Sequence, residues 1–266
     1  DAALARRLEG AEGTSCANFV TARAVAVPGC TSEWRRIHGA FAVADGPDSP
    51  LTQTFGLGLF EPPTDEGLAH IETFFTERHL PIAHEVSALA EPSLLPLLDA
   101  RGYRLTELTS VMYRPITRNT PASEAPRVGV SARVARDDEQ ELWAATAAKG
   151  WSEYPELEPF LNDIARVNRH NAASVAFFAT LDGEVIAAGA LYLAAQVALL
   201  AGASTIPAYR RRGAQQALLE CRLQYAAARA CDLAMMGARP GTASQHNGER
   251  NGFRIAYTRM KWERRR

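Results

Sequence analysis

The alternation of hydrophobic and polar positions is clearest in the second half of the chain. Two apolar runs there flank Asp182-Gly183, a dipeptide that favours a tight turn between antiparallel strands. Around this hairpin, segments with strand periodicity and helix periodicity succeed one another. The predicted strands are 130–134, 174–180, 184–193, 197–206, 233–238 and 254–262, and the predicted helices are 137–149, 154–167, 215–229 and 244–251. The pattern therefore predicts an α/β fold of the α+β kind, with a mixed sheet.

A four-residue phrase occurs twice in the chain. Gly-Tyr-Arg-Leu stands at 102–105 and Gly-Phe-Arg-Ile at 252–255, a separation of 252 − 102 = 150 positions. At the same separation, an amphipathic stretch at 64–79, with Leu68, Ile71 and Phe75 on one face, matches the predicted helix at 215–229. The chain is therefore predicted to contain two related halves.

A polar, proline-containing segment separates these halves. Pro115, Pro121 and Pro126 prevent a continuous helix or a central strand there. We therefore expect a first domain at 1–114, a linker at 115–128 and a second domain at 129–266.

Composition and charge limit the partners of the chain. Its 266 residues are 47% hydrophobic, enough for one large core or two medium ones, and the formal net charge is −1. This near-neutral balance favours neither nucleic acid nor a membrane surface as a partner. The four cysteines lack CxxC spacing, so we expect no metal site. No segment has the pattern of a signal peptide or a membrane span, and we expect a cytoplasmic location.

The strand at 197–206 leads into a turn suited to an anion. Pro207 has no amide hydrogen and ends the strand's hydrogen bonding. Gly213 can adopt backbone angles that direct the amides of 211–215 into one concave space. The helix that follows adds the partial positive charge of its N-terminus. Full charges beside it come from Arg210, Arg211 and Arg212. We therefore expect a phosphate-bearing ligand to be held here, mostly by the backbone.

The order strand, Pro, Tyr, Arg-x-x-Gly, helix resembles the signature of the GNAT acetyltransferase superfamily. In that family the turn binds the pyrophosphate of acetyl-CoA, so the resemblance implies acetyl-CoA as a co-substrate and a tandem arrangement of two GNAT-like domains. Arg210 and Gly213 match the family's pattern, whereas Gln215 replaces its third small residue. A glutamine whose side chain points away is compatible with a ligand held by main-chain amides. The cofactor-binding positions implied for the strand and turn are Ser204, Thr205, Ile206, Arg210, Arg211, Arg212, Gly213, Ala214 and Gln215.

The resemblance also implies positions for proton transfer. Many members carry an Asn and then a Tyr before the final Gly-Phe, and here those positions are Gly241 and Gly248. A thiolate with a pKa of about 8.5 leaves tolerably well without an acid. Ser244 and Asn247, on the same predicted helix, are candidates for contacting the CoA arm, and helix capping is the equal alternative.

Glu153 and Tyr154 are the candidate catalytic residues. They follow Trp151 in the loop between the first two helices of the second half, a region that commonly lines the acceptor site in similar proteins. A plain surface position is the alternative for both. His170 and His246 are further candidates, and deprotonation through water needs none of these side chains.

The first half lacks a corresponding turn. Phe60 and Pro63 stand 150 positions before Arg210 and Gly213, and proline donates no hydrogen bond. Asp65 and Glu66 would repel a pyrophosphate, but they suit the start of a helix capped by Thr64. We therefore expect the first domain to have kept the fold without a CoA site.

These observations predict an acyltransferase. It would move an acetyl group from acetyl-CoA to a primary amine of a small molecule or peptide, by direct attack in a ternary complex. The missing Tyr supports an alternative, a non-catalytic CoA-binding or sensor protein with the GNAT fold. The residues do not identify the acceptor or an oligomeric state.

Overall fold

The computed structural model describes residues 1–117, 128–154 and 158–264. Helices and strands are interspersed along these residues, as the sequence pattern predicts for the α/β class. The helices are α1 (Ala2–Ala26), α2 (Asp65–Thr76), α3 (Leu94–Ala100), α4 (Gln140–Gly150), α5 (Glu158–His170), α6 (Ala214–Ala228) and α7 (Ala243–Arg250). The strands are β1 (Glu33–Ile37), β2 (Ala40–Ala44), β3 (Gln53–Phe55), β4 (Ala83–Ser87), β5 (Tyr103–Pro115), β6 (Val130–Val134), β7 (Ser174–Leu181), β8 (Glu184–Ala194), β9 (Val197–Thr205), β10 (Leu233–Ala238) and β11 (Arg254–Arg264). The mixed α/β prediction is confirmed.

The chain forms two compact units. The first comprises Asp1–Ala24, Pro28–Tyr113 and Gly237–Arg266, and the second comprises Val25–Val27 and Arg114–Met236. The sequence pattern placed 237–266 in the second domain, whereas the division into compact units groups 237–264 with the first unit. Of the predicted linker, 118–127 lie outside the described residues, as do 155–157 of the helix predicted at 154–167.

The second unit contains a sheet with the strand order β10-β9-β8-β7-β6. Strands β6 to β9 are successively antiparallel, and β10 is parallel to β9 because α6 connects the two strands. The predicted hairpin joins β7 to β8, and Asp182 (φ +50°) and Gly183 (φ +90°) both adopt the left-handed conformation that a two-residue turn requires.

The first unit contains a sheet with the order β1-β2-β3-β4-β11-β5. Strand β11 is antiparallel to both β4 and β5, so that Arg259 lies opposite Ser87 on one side and Thr109 on the other. The final strand predicted at 254–262 is therefore present, but it pairs with strands of the first half of the chain. Pairing on both sides satisfies the backbone groups along both of its edges.

The internal repeat is visible in the order of the elements. Helix α2, strand β4, helix α3 and strand β5 begin at 65, 83, 94 and 103. Their counterparts α6, β10, α7 and β11 begin at 214, 233, 243 and 254, which gives separations of 149, 150, 149 and 151 positions. The two related halves predicted from the sequence are confirmed at the level of the fold.

Each unit has an apolar core. In the first unit, the predicted helix face of Leu68, Ile71 and Phe75 is buried, as the period of its apolar positions requires. In the second unit, Phe177 and Leu218 are fully buried between the sheet and α6. Among the described helices, none is long and apolar enough to cross a membrane.

Candidate functional site

The turn between β9 and α6 has an unusual backbone. After Thr205 a single 3-10 turn spans Pro207–Tyr209, and α6 begins at Ala214. Arg211 (φ +64°) and Gly213 (φ +92°) adopt left-handed conformations. Arg210, which precedes them in the chain, has an extended backbone. Left-handed residues at such short spacing make successive amides converge, and the first amides of a helix have no partner within it. The backbone here has the shape of an anion site.

Gln215 closes this turn from the side. Its side-chain amide donates a 2.9 Å hydrogen bond to the Thr205 hydroxyl. The sequence interpretation held only that a glutamine pointing away would be compatible with the site, and the structure connects this side chain to the end of β9. The bond joins the first turn of α6 to the strand, so a glutamine at the family's small-residue position helps to fix the turn.

The side chain of Ser204 is held by helix α4 of the same unit. Its buried hydroxyl donates to the Ala147 carbonyl at 3.1 Å. The last residue of α4, Gly150, packs so closely against Ser204 that a β-carbon there would overlap the serine side chain. The Ser204 side chain therefore has a structural partner, which leaves its main chain as the part available to a ligand. The next residue but one, Ile206, donates its amide to the Ile186 carbonyl at 3.0 Å.

Arg210 pairs with Glu153. Its two terminal nitrogens donate to the two carboxylate oxygens at 2.9 and 3.1 Å, a bidentate geometry. This hydrogen bond and the charge of Arg210 lower the pKa of Glu153. A carboxyl group with a lowered pKa is a weaker base, so the pairing points to a structural role for Glu153 at the turn. Arg211 and Arg212 are exposed beside it.

Tyr154 lies next to this pair on the surface. Its side chain is 47% exposed, and its ring meets the Trp151 ring edge-on with centroids 5.7 Å apart. Its amide donates to the Trp151 carbonyl at 2.8 Å, which makes a short turn after α4. The histidine candidate of this unit, His170, is exposed at the end of α5.

Ser244 and Asn247 lie on α7, in the first unit. Ser244 is exposed, and the helix is capped by the Thr242 side chain. Asn247 accepts hydrogen bonds at its carbonyl from both amide groups of Asn251. The position of the family's tyrosine, Gly248, is buried, and His246 is exposed. The structure thus places these candidates in a different compact unit from the turn.

A bulge near the end of β9 was not predicted from the sequence. Ala190 pairs with Ala201 and Ala188 with Ser204, so Gly189 of β8 stands opposite two residues of β9, one of which is Gly202 (φ +60°). A glycine inside an apolar strand is the signal that could have indicated it. The Trp143 indole donates to the Gly189 carbonyl and the Arg222 guanidinium to the Ala190 carbonyl, each at 3.1 Å. Both donors are buried, and the sequence interpretation missed them.

The corresponding region of the first unit is filled by its own side chains. A β-carbon at Gly56 would overlap the Phe60 ring, and the Arg36 guanidinium lies over that ring, 4.5 Å from its centroid. The Thr64 hydroxyl accepts from the Gly67 amide at 3.0 Å, so it caps α2 as expected. Asp65 pairs with Arg101 at 2.8 Å. These contacts use the helix N-terminus that a phosphate would otherwise occupy.

The first unit also contains a buried cluster of charged side chains. Arg259 donates to Glu9 at 2.8 Å and pairs with Glu12, and Tyr257 donates to Glu9 at 2.7 Å. Burial raises the pKa of Glu85, 4.0 Å from Arg259, to about 7, although the charge of Arg259 opposes this shift. The cluster ties α1 to β11 through the side chains of Arg259 and Tyr257.

Metal ligands are not grouped in the described ranges. No set of three His, Cys, Asp or Glu side chains is close enough there to hold a metal ion. Cys16, Cys30, Cys221 and Cys231 are free thiols.

Comparisons with known proteins agree with this architecture. Residues 136–253 match the family model of the Acetyltransferase (GNAT) family. No curated protein matches the chain. In fold the chain is similar to a GCN5-related N-acetyltransferase from Kribbella flavida, with a TM-score of 0.62 and 20% identity over 94% of this chain and 95% of that one. It is also similar to a GCN5-related N-acetyltransferase from Sphaerobacter thermophilus, with a TM-score of 0.60 and 16% identity over 88% of this chain and 75% of that one.

A third solved structure bears on the two halves. It is a tandem GNAT protein from the clavulanic acid biosynthesis pathway, with a TM-score of 0.56 and 12% identity over 84% of this chain and 77% of that one. The three TM-scores show a shared fold, and the range matched by the family model includes the turn, α4, α5 and α6. The chain therefore has a tandem GNAT fold, and its residues 136–253 match the Acetyltransferase (GNAT) family model.

Proposed function

We propose that the second unit binds acetyl-CoA at the turn between β9 and α6 and transfers the acetyl group to a primary amine. The observation that carries this proposal is the pair of left-handed residues, Arg211 and Gly213, directly before the N-terminus of α6. That backbone presents amides and a helix dipole to one anion. Residues 204–206 and 210–215 would hold the pyrophosphate and the pantetheine arm, mostly through the main chain.

The reaction requires few protein groups. The neutral amine nitrogen forms a bond to the acyl carbon, and the carbonyl electron pair moves onto oxygen. The electron pair on oxygen then re-forms the carbonyl as the C–S bond breaks and its electron pair leaves on the sulfur of CoA. The nitrogen's extra proton passes to water and from water to the thiolate. The products are an amide and CoA. Holding both substrates in one ternary complex supplies much of the acceleration.

The proton path of this proposal runs through water. Glu153 is engaged by Arg210, Tyr154 is half exposed, and the family's usual acid is replaced by Gly248. Glu153 would instead hold Arg210 in place beside the pyrophosphate, with Tyr154 at the entrance for the acceptor.

Substituting Glu153 by glutamine distinguishes these roles. We expect Glu153→Gln to keep kcat within about threefold of the wild type, because the Glu153 carboxylate is held by Arg210 and does not act as the base in this proposal. Loss of a general base would lower kcat by about 10²–10⁴-fold. The acetyl-CoA affinity is expected to change more than kcat, because Arg210 loses its charged partner. Steady-state kinetics with isothermal titration measures both quantities, and Glu141→Gln is a matched control because Glu141 of α4 pairs with Arg169 of α5 at 3.2 Å, in the same unit but outside the turn. A loss of kcat above about 100-fold with unchanged affinity would assign Glu153 as the base.

A non-catalytic CoA-binding or sensor protein is the second candidate. The observation that favours it is Gly248 at the position of the usual acid. The two candidates differ in whether bound acetyl-CoA is consumed in the presence of an amine.

The test of the proposed function begins with calorimetric titration of the full chain with acetyl-CoA. We expect saturable binding, followed by formation of free CoA and an acetylated product, detected by mass spectrometry, with at least one member of a panel of small amines and peptides. Binding without any acetylated product would favour the sensor. Failure to bind would refute both functions.

A further inference from the structure

Arg222 is a buried cation with no acidic partner in the described residues. It lies on α6, is 4% exposed, and its described hydrogen bonds go to the carbonyl oxygens of Leu218 and Ala190, both at 3.1 Å. Ion pairs within 4 Å involve many other arginines of the described chain, but not this one. A buried guanidinium without a carboxylate is costly to the fold. The cost of burying the Arg222 guanidinium therefore suggests that its charge has a function.

The charge lies against the bulge of β8 and β9. A β-carbon placed on Gly189 would be 3.5 Å from the Arg222 guanidinium carbon and 3.6 Å from the Ala203 side chain. The guanidinium binds the Ala190 carbonyl, and Ala190 is the strand partner of Ala201, where the bulge begins. The guanidinium therefore lies directly against Gly189, the residue of β8 that stands opposite the bulge.

The guanidinium remains charged in this environment. Burial lowers the pKa of Arg222 to about 10, and the neighbouring Cys221 thiol opposes that shift. At neutral pH the group is still protonated. The charge therefore acts through a protein interior that screens it far less than water would.

We propose that Arg222 polarises the acyl carbonyl of a thioester bound along β9, by placing a permanent positive charge behind the bulge at 201–204. This inference rests on the proposed function, and it adds a group that stabilises the negative charge formed on the acyl oxygen when the amine attacks. Arg222 does not touch the thioester, so it is a positioning residue that acts through the bulge. It compensates in part for the missing acid at Gly248, because a stabilised oxyanion intermediate lowers the barrier without proton donation.

The experiment follows the carbonyl carbon of acetyl-CoA labelled with ¹³C at that position. Bound to the wild type, its NMR signal is expected to move downfield of the free ligand, as polarisation of the carbonyl requires. Arg222→Met removes the charge and is expected to return most of that displacement, whereas Arg222→Lys keeps the charge and most of the displacement. With an acceptor found in the amine panel, Arg222→Met is expected to lower kcat by about tenfold or more while KM for acetyl-CoA changes little.

Trp143→Phe is the matched control. It removes a neutral donor from the Gly189 carbonyl of the same bulge and leaves the charge in place. We expect it to lower the melting temperature and to keep the ¹³C displacement. For Arg222→Met, an unchanged or raised melting temperature is expected, because an unpaired buried charge has been replaced by an apolar side chain.

Two results would overturn the inference. One is a full ¹³C displacement in Arg222→Met, and the other is an equal loss of displacement in Trp143→Phe, which would assign the effect to the shape of the bulge. If Arg222→Met does not fold, Arg222→Lys decides alone, since loss of the displacement there would show that charge is not the cause. Wild-type protein that does not bind acetyl-CoA would instead refute the proposed function.

Discussion

Replacing Gly213 by proline is expected to weaken acetyl-CoA binding by about 100-fold or more, because an amide of the proposed pyrophosphate site is lost and the turn changes shape. Gly213 has φ +92°, whereas a proline ring fixes φ near −65°. The substitution therefore removes a donor and rotates its neighbours out of the concave space together. Isothermal titration of both proteins with acetyl-CoA measures the effect.

Alanine variants separate binding from backbone strain. Gly213→Ala and Gly183→Ala both place a β-carbon on a residue with φ near +90°, and each is expected to cost about 1–2 kcal/mol of stability. Gly183 lies in the β7–β8 hairpin, where nothing lies within 4 Å of the added carbon. Only the Gly213 variant is expected to lose affinity. Equal acetyl-CoA affinity in the wild type, Gly213→Pro, Gly213→Ala and Gly183→Ala would show that the turn is not part of the CoA site.

Replacing Arg259 by methionine is expected to destabilise the protein by about 3–5 kcal/mol, because it leaves buried carboxylates without their cation. Glu9 is fully buried, and one of its carboxylate oxygens accepts hydrogen bonds from both Tyr257 and Arg259. Its other oxygen has no hydrogen-bond partner among the described residues. Loss of the guanidinium also removes its hydrogen bonds between β11 and α1, so that the bond from Tyr257 to Glu9 remains there. Urea unfolding followed by circular dichroism measures the free energy of unfolding.

Two further variants test the cause of that loss. Arg254→Met changes an exposed arginine on the same strand and is expected to stay within about 0.5 kcal/mol of the wild type. Adding Glu9→Gln to Arg259→Met is expected to recover part of the loss, because the uncompensated charge is removed. A double variant no more stable than Arg259→Met would show that packing of the side chain, and not its charge, matters.

Local signals in the sequence determined much of the fold and the turn. The alternation around Asp182-Gly183, the cap at Thr64 and the left-handed glycine at 213 all depend on neighbours within a few positions, so a single sequence contains them. The repeat at 150 positions was legible because both halves kept the same order of helices and strands.

The partners of the long-range elements were decided by the tertiary structure. The periodicity of 254–262 predicts a strand, but it does not predict which strands lie beside it. In the structure β11 pairs with β4 and β5, which lie more than 140 positions earlier in the chain. The same reason applies to the side chains. Glu153 meets Arg210 and Arg222 meets the β8–β9 bulge only after the sheet and α6 pack, because these pairs are 57 and 32 positions apart in the chain. The sequence by itself therefore determined which residues form the turn and the repeat. Tertiary packing decided which charged side chains lie beside the turn and the bulge, because packing brings together residues that are far apart along the chain.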